Sequence, residues 1–408
     1  MADRSLLRPL GVPGFRLLFL SAFASSFGTL LAAVALAVDV KDRTDSGLWV
    51  GGLMVVEFVP AILVGILVGP LLDRLSRRGI MVAADVARAA VFCALPFVHS
   101  AGAIVALAAV AGLATGFFRP AALAGIPNLV PDEDLAAANS LIQVVENVSW
   151  TVGPLVGGVL TAAAGPHLAY WVNAVSFVVS AVLILRIPQR LLQTTTALTR
   201  GHWRDLADGF AVVRRSRALL TVVIAWSVAS VGLGLVNVGE VFLAKDTFHA
   251  GDFGYGLLYG AIGAGLVVGS VIAPEIDRRF GIGALYAGAI AVMALGFGLG
   301  AVSPNVWVAA VCCVVAGIGN GATSIANPLL VQRGAPDAVR GRALTLIISL
   351  NYTVLGGSFV IAGPIVDALG ARWAWGLAAA VIAVASVVAL AIGPRRVAAA
   401  RELAHVAE

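Results

Sequence analysis

A row of polar side chains recurs on one helical face between residues 139 and 157. Spacings of 4, 3, 4, 3 and 4 residues, typical of a helix that meets a partner, relate Asn139, Gln143, Glu146, Trp150, Gly153 and Gly157. The flanking sequence is apolar, and a carboxylate in such a helix is costly unless it faces protein or a water-filled cavity. Because burial favours the neutral form of an acid, it can take up a proton there. Glu146 is therefore the first candidate for proton exchange.

Glu57 is a second candidate because of its depth in an apolar run. It stands about 15 Å from the outer start of that run. Small residues follow it at four-residue intervals, namely Ala61, Gly65 and Gly69, which is typical of helix–helix contact. We therefore expect Glu57 to point into the protein, either as a proton carrier or as a static hydrogen-bonded acid.

Other ionisable and polar residues extend the predicted cavity. Arg119 should lie at the same depth as Glu146 on the preceding helix, so the two could form an ion pair, static or broken during transport. Asn237 and Glu240 share another helical face, where Glu240 would serve an outer gate, attract cations or remain static. Asp39 is interpreted as a solvated helix end. Residues that could line the cavity or serve helix packing are Asn173, Tyr259, Asn320, Asn327 and Tyr352.

Long apolar segments must hold these residues. The chain has 408 residues, of which 12% are charged, whereas a soluble domain would carry about twice that share. Twelve runs are each long enough to cross the roughly 30 Å hydrocarbon core of a bilayer. They are 15–38, 48–71, 79–98, 102–124, 138–163, 168–187, 218–243, 254–276, 282–302, 306–328, 342–368 and 373–394. The sequence thus predicts an all-α membrane protein with twelve transmembrane helices, the first of which is retained rather than cleaved as a leader.

The distribution of basic residues predicts the orientation. Twelve crossings place both termini on one side, and assigning that side to the cytoplasm puts 21 of the 27 Lys and Arg in cytoplasmic segments and 4 in outer loops. The prediction is a multi-pass protein of the cell (inner or plasma) membrane with both termini in the cytoplasm. The basic surplus should contact anionic lipid of the inner leaflet. Because it is scattered over short segments, it forms no nucleic-acid-binding patch.

The chain repeats itself at half its length. An offset of 204 residues pairs Lys41-Asp42 with Lys245-Asp246 and Asp73-Arg74 with Asp277-Arg278, and from residue 131 the offset is 205. A six-helix unit duplicated in tandem gives two parallel bundles of equal orientation, an arrangement found in one class of transporters. Asn351 stands where the first half has Glu146, so the duplicated fold does not require that charge.

Three segments follow from the repeat. The N-terminal six-helix bundle is predicted at residues 1–187 and the C-terminal bundle at residues 218–408. The long polar segment between them, 188–217, is predicted to be a cytoplasmic linker. Its apolar residues recur at helical spacing, which indicates an amphipathic helix on the inner leaflet.

Residues 69–79 read GPLLDRLSRRG, a charged hairpin between the second and third runs. This hairpin resembles the loop motif G-x-L-x-D-R-x-G-R-[RK] of the major facilitator superfamily, with Ser76 at the usual glycine. The residues that match are Gly69, Leu71, Asp73, Arg74, Arg77 and Arg78. The resemblance implies a cytoplasmic gate in which the aspartate meets a helix end of the other half and the arginines bridge carboxylates. Asp85 and Arg88 look like local partners of this loop.

Residues 153–158 read GPLVGG and resemble the G-P-x-x-G-G element of superfamily exporters that run as proton antiporters. Gly153, Pro154, Gly157 and Gly158 match it. The stretches FFRPAALAGIPNLVP and LAAANSLIQVVENVSWTVGP are similar to the branch that holds macrolide and other drug exporters and a siderophore exporter. The resemblance implies export of an amphipathic compound coupled to protons.

Patterns for other chemistry are missing from the sequence. The five histidines lack ligand spacing, the cysteines Cys93, Cys312 and Cys313 lie in apolar runs, and no phosphate-binding loop motif occurs. We therefore predict no cofactor, no metal and no enzymatic activity, and expect a monomer.

The predicted function is export of an amphipathic drug, antibiotic or metabolite from the cytoplasm by a proton-coupled, alternating-access secondary transporter. Two alternatives remain open: a proton-coupled importer of a small metabolite, and a membrane receptor or scaffold that does not transport. A centre richer in carboxylates than in cations favours export, or a cationic cargo, over import of anions.

Overall fold

The computed structural model describes residues 6–67, 75–192, 216–335 and 337–393. These residues form helices and short connections, with no β-strand among them. Twelve long helices follow one another: α1 (Pro13–Thr44), α2 (Gly47–Leu67), α3 (Arg77–Ala94), α4 (Ala101–Leu129), α5 (Leu135–Ala164), α6 (Pro166–Leu185), α7 (Arg217–Phe242), α8 (Gly251–Phe280), α9 (Ile282–Val302), α10 (Val306–Gly334), α11 (Asp337–Leu369) and α12 (Ala371–Ile392). Each overlaps one predicted apolar run, which confirms the twelve-helix prediction.

Side-chain caps fix the start of several helices. The hydroxyl of Ser76 accepts from the backbone N–H of Gly79 at 3.2 Å at the start of α3, and Ser100 caps α4 in the same way. Asn305 accepts from two backbone N–H groups at the start of α10. Such caps satisfy donors that the first helical turn leaves unpaired. Ser76, which replaces the glycine usual in the resembled loop motif, therefore has a local role as a helix cap.

Most of these helices suit a bilayer. Ten segments of the described part are long and apolar enough to cross a membrane, and a shorter apolar helix covers Gly47–Pro60. Helix α5 is not among the ten, because it carries the row of polar residues described above. The candidate site is thus predicted on a helix that is less apolar than these ten segments.

The described residues fall into two compact units. The first holds α1–α6 together with Ala250–Gly260 at the start of α8, and the second holds α7, the remainder of α8 and α9–α12. Within the first, α1 packs against α5 and α6, α3 packs against α4 and α6, and α2 packs against α4. Within the second, α7 packs against α11 and α12, and α9 packs against α10 and α12. The same pairing thus recurs six helices later.

Helix starts locate the one-residue shift in the repeat. Helices α1 and α7 begin 204 residues apart, whereas α3 and α9, like α4 and α10, begin 205 apart. The extra residue therefore lies before α9, in the hairpin that joins α8 to it, earlier than the shift seen from residue 131 onward in the sequence. The predicted linker, 188–217, lies largely outside the described residues, so its amphipathic helix and the three predicted segments stay predictions.

Single glycines make the sharpest connections. Gly165 joins α5 to α6 with φ 74°, and Gly370 joins α11 to α12 with φ 80°. Residues with a Cβ atom rarely adopt this left-handed backbone conformation, whereas glycine does so at little cost. The two glycines stand 205 residues apart, so the repeat preserves this connection.

Candidate functional site

Arg119 and Glu146 form an ion pair between α4 and α5. The guanidinium Nη2 of Arg119 donates to both carboxylate oxygens of Glu146, at 2.9 and 3.0 Å. The two side chains are accessible, with 59% of Arg119 and 25% of Glu146 exposed. The pairing that the sequence left open is therefore present, and a quarter of the Glu146 side chain remains exposed.

The polar face of α5 is exposed at one end and covered at the other. Gln143 is exposed and donates to Asn147 at 3.1 Å, and Trp150 is 38% exposed. One turn further on, Gly153 and Gly157 are buried. The predicted row thus forms one continuous face, of which the half bearing Glu146 is accessible.

An aromatic stack stands where the exposed half of this face ends. The ring of Trp150 lies parallel to that of Tyr259, with centroids 5.9 Å apart and an interplanar angle of 15°. Tyr255 meets Tyr259 edge-on at 6.2 Å. Sequence patterning marked Tyr259 only as one of several possible lining residues, because its distance from Trp150 in the chain gives no sign of the stack.

The glycines of the GPLVGG element allow close helix contact. A Cβ atom at Gly158 would stand 2.7 Å from the Cα atom of Gly256, and one at Gly256 would stand 2.7 Å from the carbonyl oxygen of Pro154. A Cβ atom at Gly153 would stand 3.0 Å from the Cβ atom of Leu30. The element therefore permits the backbone of α5 to approach α1 and the first turns of α8.

Asp85 and Arg88 lie in a buried polar cluster of the first unit. Arg88 donates to Asp85 at 2.5 Å, with side-chain exposures of 3% and 0%. Ser180 of α6 donates to the other carboxylate oxygen at 2.6 Å and contacts the hydroxyl of Ser21 on α1 at 2.8 Å. The guanidinium lies between the rings of Phe118 and Phe177, 4.5 and 4.3 Å from their centroids, while its Nε has no hydrogen-bond partner in the part of the chain that the structure describes.

This cluster corrects the expectation for the charged hairpin. Asp85 and Arg88 bind each other and α6 instead of Arg77 and Arg78, the two hairpin arginines among the described residues. Arg77 donates to the carbonyl oxygens of Ala124 and Leu192 at 2.9 and 3.0 Å, and Arg78 donates to that of Ile187 at 3.2 Å. Backbone carbonyls near helix ends are suitable acceptors for arginine. These two arginines thus join α3 to α4 and to the segment after α6, where carboxylate partners were expected.

The remainder of the predicted gate falls partly outside the structure. Gly69, Asp73 and Arg74 lie outside the described residues. In the second unit, Asp277 is the counterpart of Asp73, and it accepts from Arg333 of α10 at 2.6 Å. The repeat of the hairpin is therefore joined to a neighbouring helix by an ion pair.

Glu57 is half-buried where α2 meets α4. A Cβ atom at Gly112 of α4 would stand 2.9 Å from the carbonyl oxygen of Glu57, so the two helices approach closely at this level. The carboxylate also interacts electrostatically with Tyr170 of α6. Because the close contact involves the backbone of Glu57, the expectation that its carboxylate points into the protein stays a prediction.

The interpretation of Asp39 as a solvated helix end is wrong. Asp39 is buried; Arg43 donates to one carboxylate oxygen at 2.6 Å and Tyr170 donates to the other at 2.9 Å. Arg43 also donates to the carbonyl oxygen of His99 at 2.8 Å. Sequence reasoning missed this group because Tyr170 comes from α6, far away in the chain.

Glu240 is the buried carboxylate of the second unit. It is 1% exposed, and neither carboxylate oxygen has a hydrogen-bond partner among the described residues. Cys313 of α10 lies within electrostatic range, and Trp375 of α12 packs against the adjacent Gly239. Asn237, one turn before it, is half-buried. Among the described residues, no group of three or more His, Cys, Asp or Glu is placed to hold a metal ion.

Comparisons with known proteins agree with this architecture. The multidrug efflux pump Tap of Mycolicibacterium fortuitum is 25% identical over 367 residues, covering 87% of this chain and 89% of the pump. The enterobactin exporter EntS of Shigella boydii is 27% identical over 401 residues, covering 93% of this chain and 89% of the exporter. The crystal structure of the nucleoside transporter NupG superposes with a TM-score of 0.73 at 16% identity, covering 93% of this chain and 100% of that one, which shows a shared fold.

A family model decides the assignment. The model of the Major Facilitator Superfamily matches residues 18–360, from the first helix into the eleventh. That range includes the Arg119–Glu146 pair and the buried Glu240. With its twelve helices and the recurring helix pairing, the chain belongs to the major facilitator superfamily and is a multi-pass membrane transporter of small molecules.

Proposed function

We propose that this transporter exports an amphipathic drug, antibiotic or metabolite from the cytoplasm by alternating access, and that protons entering in exchange bind Glu146. The Arg119–Glu146 pair carries the proposal. Its carboxylate lies on a membrane helix, remains accessible to water, and has a cation as its partner. An accessible acid exchanges protons readily, whereas the Asp85 carboxylate is fully buried and bonded to Arg88 and Ser180.

The direction of transport is supported by likeness to relatives. Both relatives reported above are named for efflux or export, and α5 carries the GPLVGG element whose glycines contact α1 and α8. Binding of the substrate to the deprotonated carboxylate, and its release on protonation, makes the two ligands compete for one site. Competition of this kind couples outward movement of one to inward movement of the other.

The surroundings of the transporter form part of the same proposal. We place both termini and the hairpin at 69–79 in the cytoplasm, with residues 1–187 and 218–408 as two bundles joined by the linker at 188–217. Basic residues on the cytoplasmic side would contact anionic lipid. The protein would act as a monomer in the cell membrane.

The hairpin at 69–79 would serve as the cytoplasmic gate. Arg77 and Arg78 bind the carbonyls of neighbouring segments in the first unit, and the resemblance to the loop motif assigns to Asp73 the contact that is made and broken during the cycle. Asp73→Asn should slow transport while the protein remains folded. Unchanged transport by that variant would contradict the gate.

A vesicle experiment tests the proton-coupled export. Purified protein in liposomes of known orientation is given an inward-directed pH gradient, and movement of a fluorescent amphipathic dye is followed. We expect dye to move against the proton flow, and Glu146→Gln to lose the gradient-driven component. Glu133→Gln is the matched control, since Glu133 also pairs with an arginine, Arg8, but on an exposed turn before α5.

Each outcome of that experiment has a distinct meaning. Dye that moves with the protons would identify an importer. No movement under any gradient would favour a receptor or scaffold. Gradient-driven export that survives Glu146→Gln would remove Glu146 from the coupling mechanism.

A further inference from the structure

The exposed face of α5 combines a carboxylate with an aromatic surface. Glu146 and Trp150 are one helical turn apart on that face, and Trp150 stacks on Tyr259. The parallel stack holds the indole ring flat while 38% of Trp150 remains exposed. A fixed ring face beside a carboxylate is suited to a planar group that carries positive charge, because both surfaces attract a cation.

One end of this face is closed by backbone contacts. Gly260 of α8 lies over α5, since a Cβ atom there would stand 3.2 Å from the carbonyl oxygen of Thr151 and from the Cβ atom of Leu155. Gly256 lies against Gly158 one turn further. All of these residues belong to the first unit. The Trp150–Tyr259 stack therefore forms the end of the accessible face, next to the point where the helices touch.

The ion pair between Arg119 and the Glu146 carboxylate is weak. Its side chain is 59% exposed, so it keeps its hydration when it leaves Glu146, and exposed ion pairs are weak. Arg88 provides the contrast: its guanidinium is buried between two phenyl rings, and its departure would leave the buried Asp85 carboxylate without a counter-ion. Of these two pairs, Arg119–Glu146 is therefore the exchangeable one.

Arg119 is the charged group bonded to Glu146 among the described residues. The other segments that pack against α5 are α1, α6 and the start of α8. Their titratable side chains stand mostly toward the helix ends and are Arg16, Asp39, Lys41, Asp42, Arg43, His167, Tyr170, Asp252, Tyr255 and Tyr259. Asp39, Arg43 and Tyr170 bind one another, as described above, so Arg119 remains the resident cation of the site.

We propose that Glu146 and the Trp150–Tyr259 stack bind a planar organic cation, and that Arg119 is an internal competitor that occupies the carboxylate whenever the substrate is absent. This inference rests on the proposed function and adds the substrate class to it. The cation displaces Arg119 from Glu146 and lays its ring against Trp150. A proton arriving at Glu146 removes the attraction and releases the cation. After the proton leaves, Arg119 returns, which keeps the empty site neutral.

Equilibrium binding without any gradient tests the inference. Purified full-length protein in detergent is titrated with ethidium, a planar cation, and binding is followed by its fluorescence. Arg119→Gln should tighten ethidium binding about two- to fivefold, because a weak competitor has been removed. Glu146→Gln should weaken it about tenfold or more, because a charged partner is lost. A gain of affinity in the first variant cannot result from misfolding.

Control probes separate the aromatic contribution from the charge. Trp150→Leu should weaken ethidium binding about five- to tenfold. The affinity of the non-aromatic tetrabutylammonium ion, obtained from its displacement of ethidium, should stay unchanged. Trp171→Leu is the matched control, since Trp171 of α6 is 40% exposed in the same unit without a carboxylate one turn away. Fluorescein, a planar anion, should bind far more weakly than ethidium.

Several results would overturn the inference: no saturable ethidium binding, unchanged or weaker binding by Arg119→Gln, equal losses for the two tryptophan variants, or fluorescein binding as tight as that of ethidium. The expected binding pattern without proton-driven flux in vesicles would refute the proposed function but support this site. Proton-driven flux through Glu146 without preference for cations would support the proposed function but refute this site.

Discussion

The buried polar cluster of the first unit has an apolar counterpart in the second. With the repeat offsets given by the helix starts, Ser21, Asp85, Arg88 and Ser180 correspond to Ala225, Ile290, Met293 and Ala385. These four counterparts are fully buried. Helix α9 nevertheless packs against α10 and α12 as α3 packs against α4 and α6. The same helix arrangement therefore forms with or without the charges.

This difference indicates what the charges contribute. A buried ion pair gains little over well-packed apolar side chains, since desolvation offsets the attraction. The fold therefore does not explain why the first bundle retains Asp85 and Arg88. A pair held rigidly by serines on two neighbouring helices fixes their mutual register, and we interpret the cluster as a rigid centre for the bundle.

The accessible charges differ in the same way. The Arg119–Glu146 pair corresponds to Ser324 and Asn351, and Asn351 accepts a neutral hydrogen bond from Ser227 at 3.1 Å. In the opposite sense, Glu240 of the second bundle corresponds to Leu36 of the first. Each bundle thus carries an acid where the other is neutral, which makes exchange of residues between them a direct test.

The largest effect is expected when one member of the buried pair is removed. Asp85→Ala leaves the guanidinium of Arg88 buried without a counter-ion and should lower the free energy of unfolding by about 3–5 kcal/mol. Asp85→Ile combined with Arg88→Met copies the second bundle and should recover most of that loss. Titrations with SDS in mixed micelles measure both. If the double variant is as unstable as the single one, the two bundles do not tolerate the same residues.

A smaller loss is expected at the close contact of α5. Gly158→Leu places side-chain atoms where the Cα atom of Gly256 lies, so overpacking should cost about 1–3 kcal/mol and abolish transport in vesicles. Gly357→Leu on α11, the counterpart helix, is the control, because a Cβ atom there meets nothing within 4 Å. Equal losses for both variants would contradict a specific role of the Gly158 contact.

A gain in stability is expected at Glu240. Glu240→Leu introduces the residue type that the first bundle has at Leu36 and removes a buried acid that has no hydrogen-bond partner among the described residues, which should raise the free energy of unfolding by on the order of 1–2 kcal/mol. Glu240→Gln keeps the unpaired polar group and should give no gain. The same SDS titrations measure the free energy of unfolding of both variants. A loss of stability in the leucine variant would mean that the carboxyl group makes a stabilising contact.

The smallest change in stability is expected at the accessible pair. Arg119→Ser combined with Glu146→Asn makes the first bundle resemble the second at these positions. Because exposed ion pairs contribute about 1 kcal/mol or less, the unfolding free energy should hardly change, while gradient-driven transport is lost. A large drop in stability would show that the pair is structural.

Local patterns predicted the helices, offered the accessible pair as one possibility, and missed what depends on distant segments. Apolar length predicted all twelve helices, and the consecutive order of α4 and α5 made the Arg119–Glu146 pair foreseeable. The Asp39–Tyr170 and Asp85–Ser180 bonds join α6 to α1 and α3, and no periodicity relates those positions. The hairpin arginines were assigned carboxylates because backbone carbonyls, present at every residue, leave no signature in a sequence.

The paired glycines Gly165 and Gly370 have a consequence for directed evolution. A mutant library that varies the ends of α5, α6, α11 and α12 to alter substrate preference will contain many inactive variants. They are the variants that replace either glycine, since both positions need a positive φ. Deep mutational scans should show intolerance at both codons, whatever compound is used for selection. Holding the two constant concentrates diversity on the side chains that face the cargo.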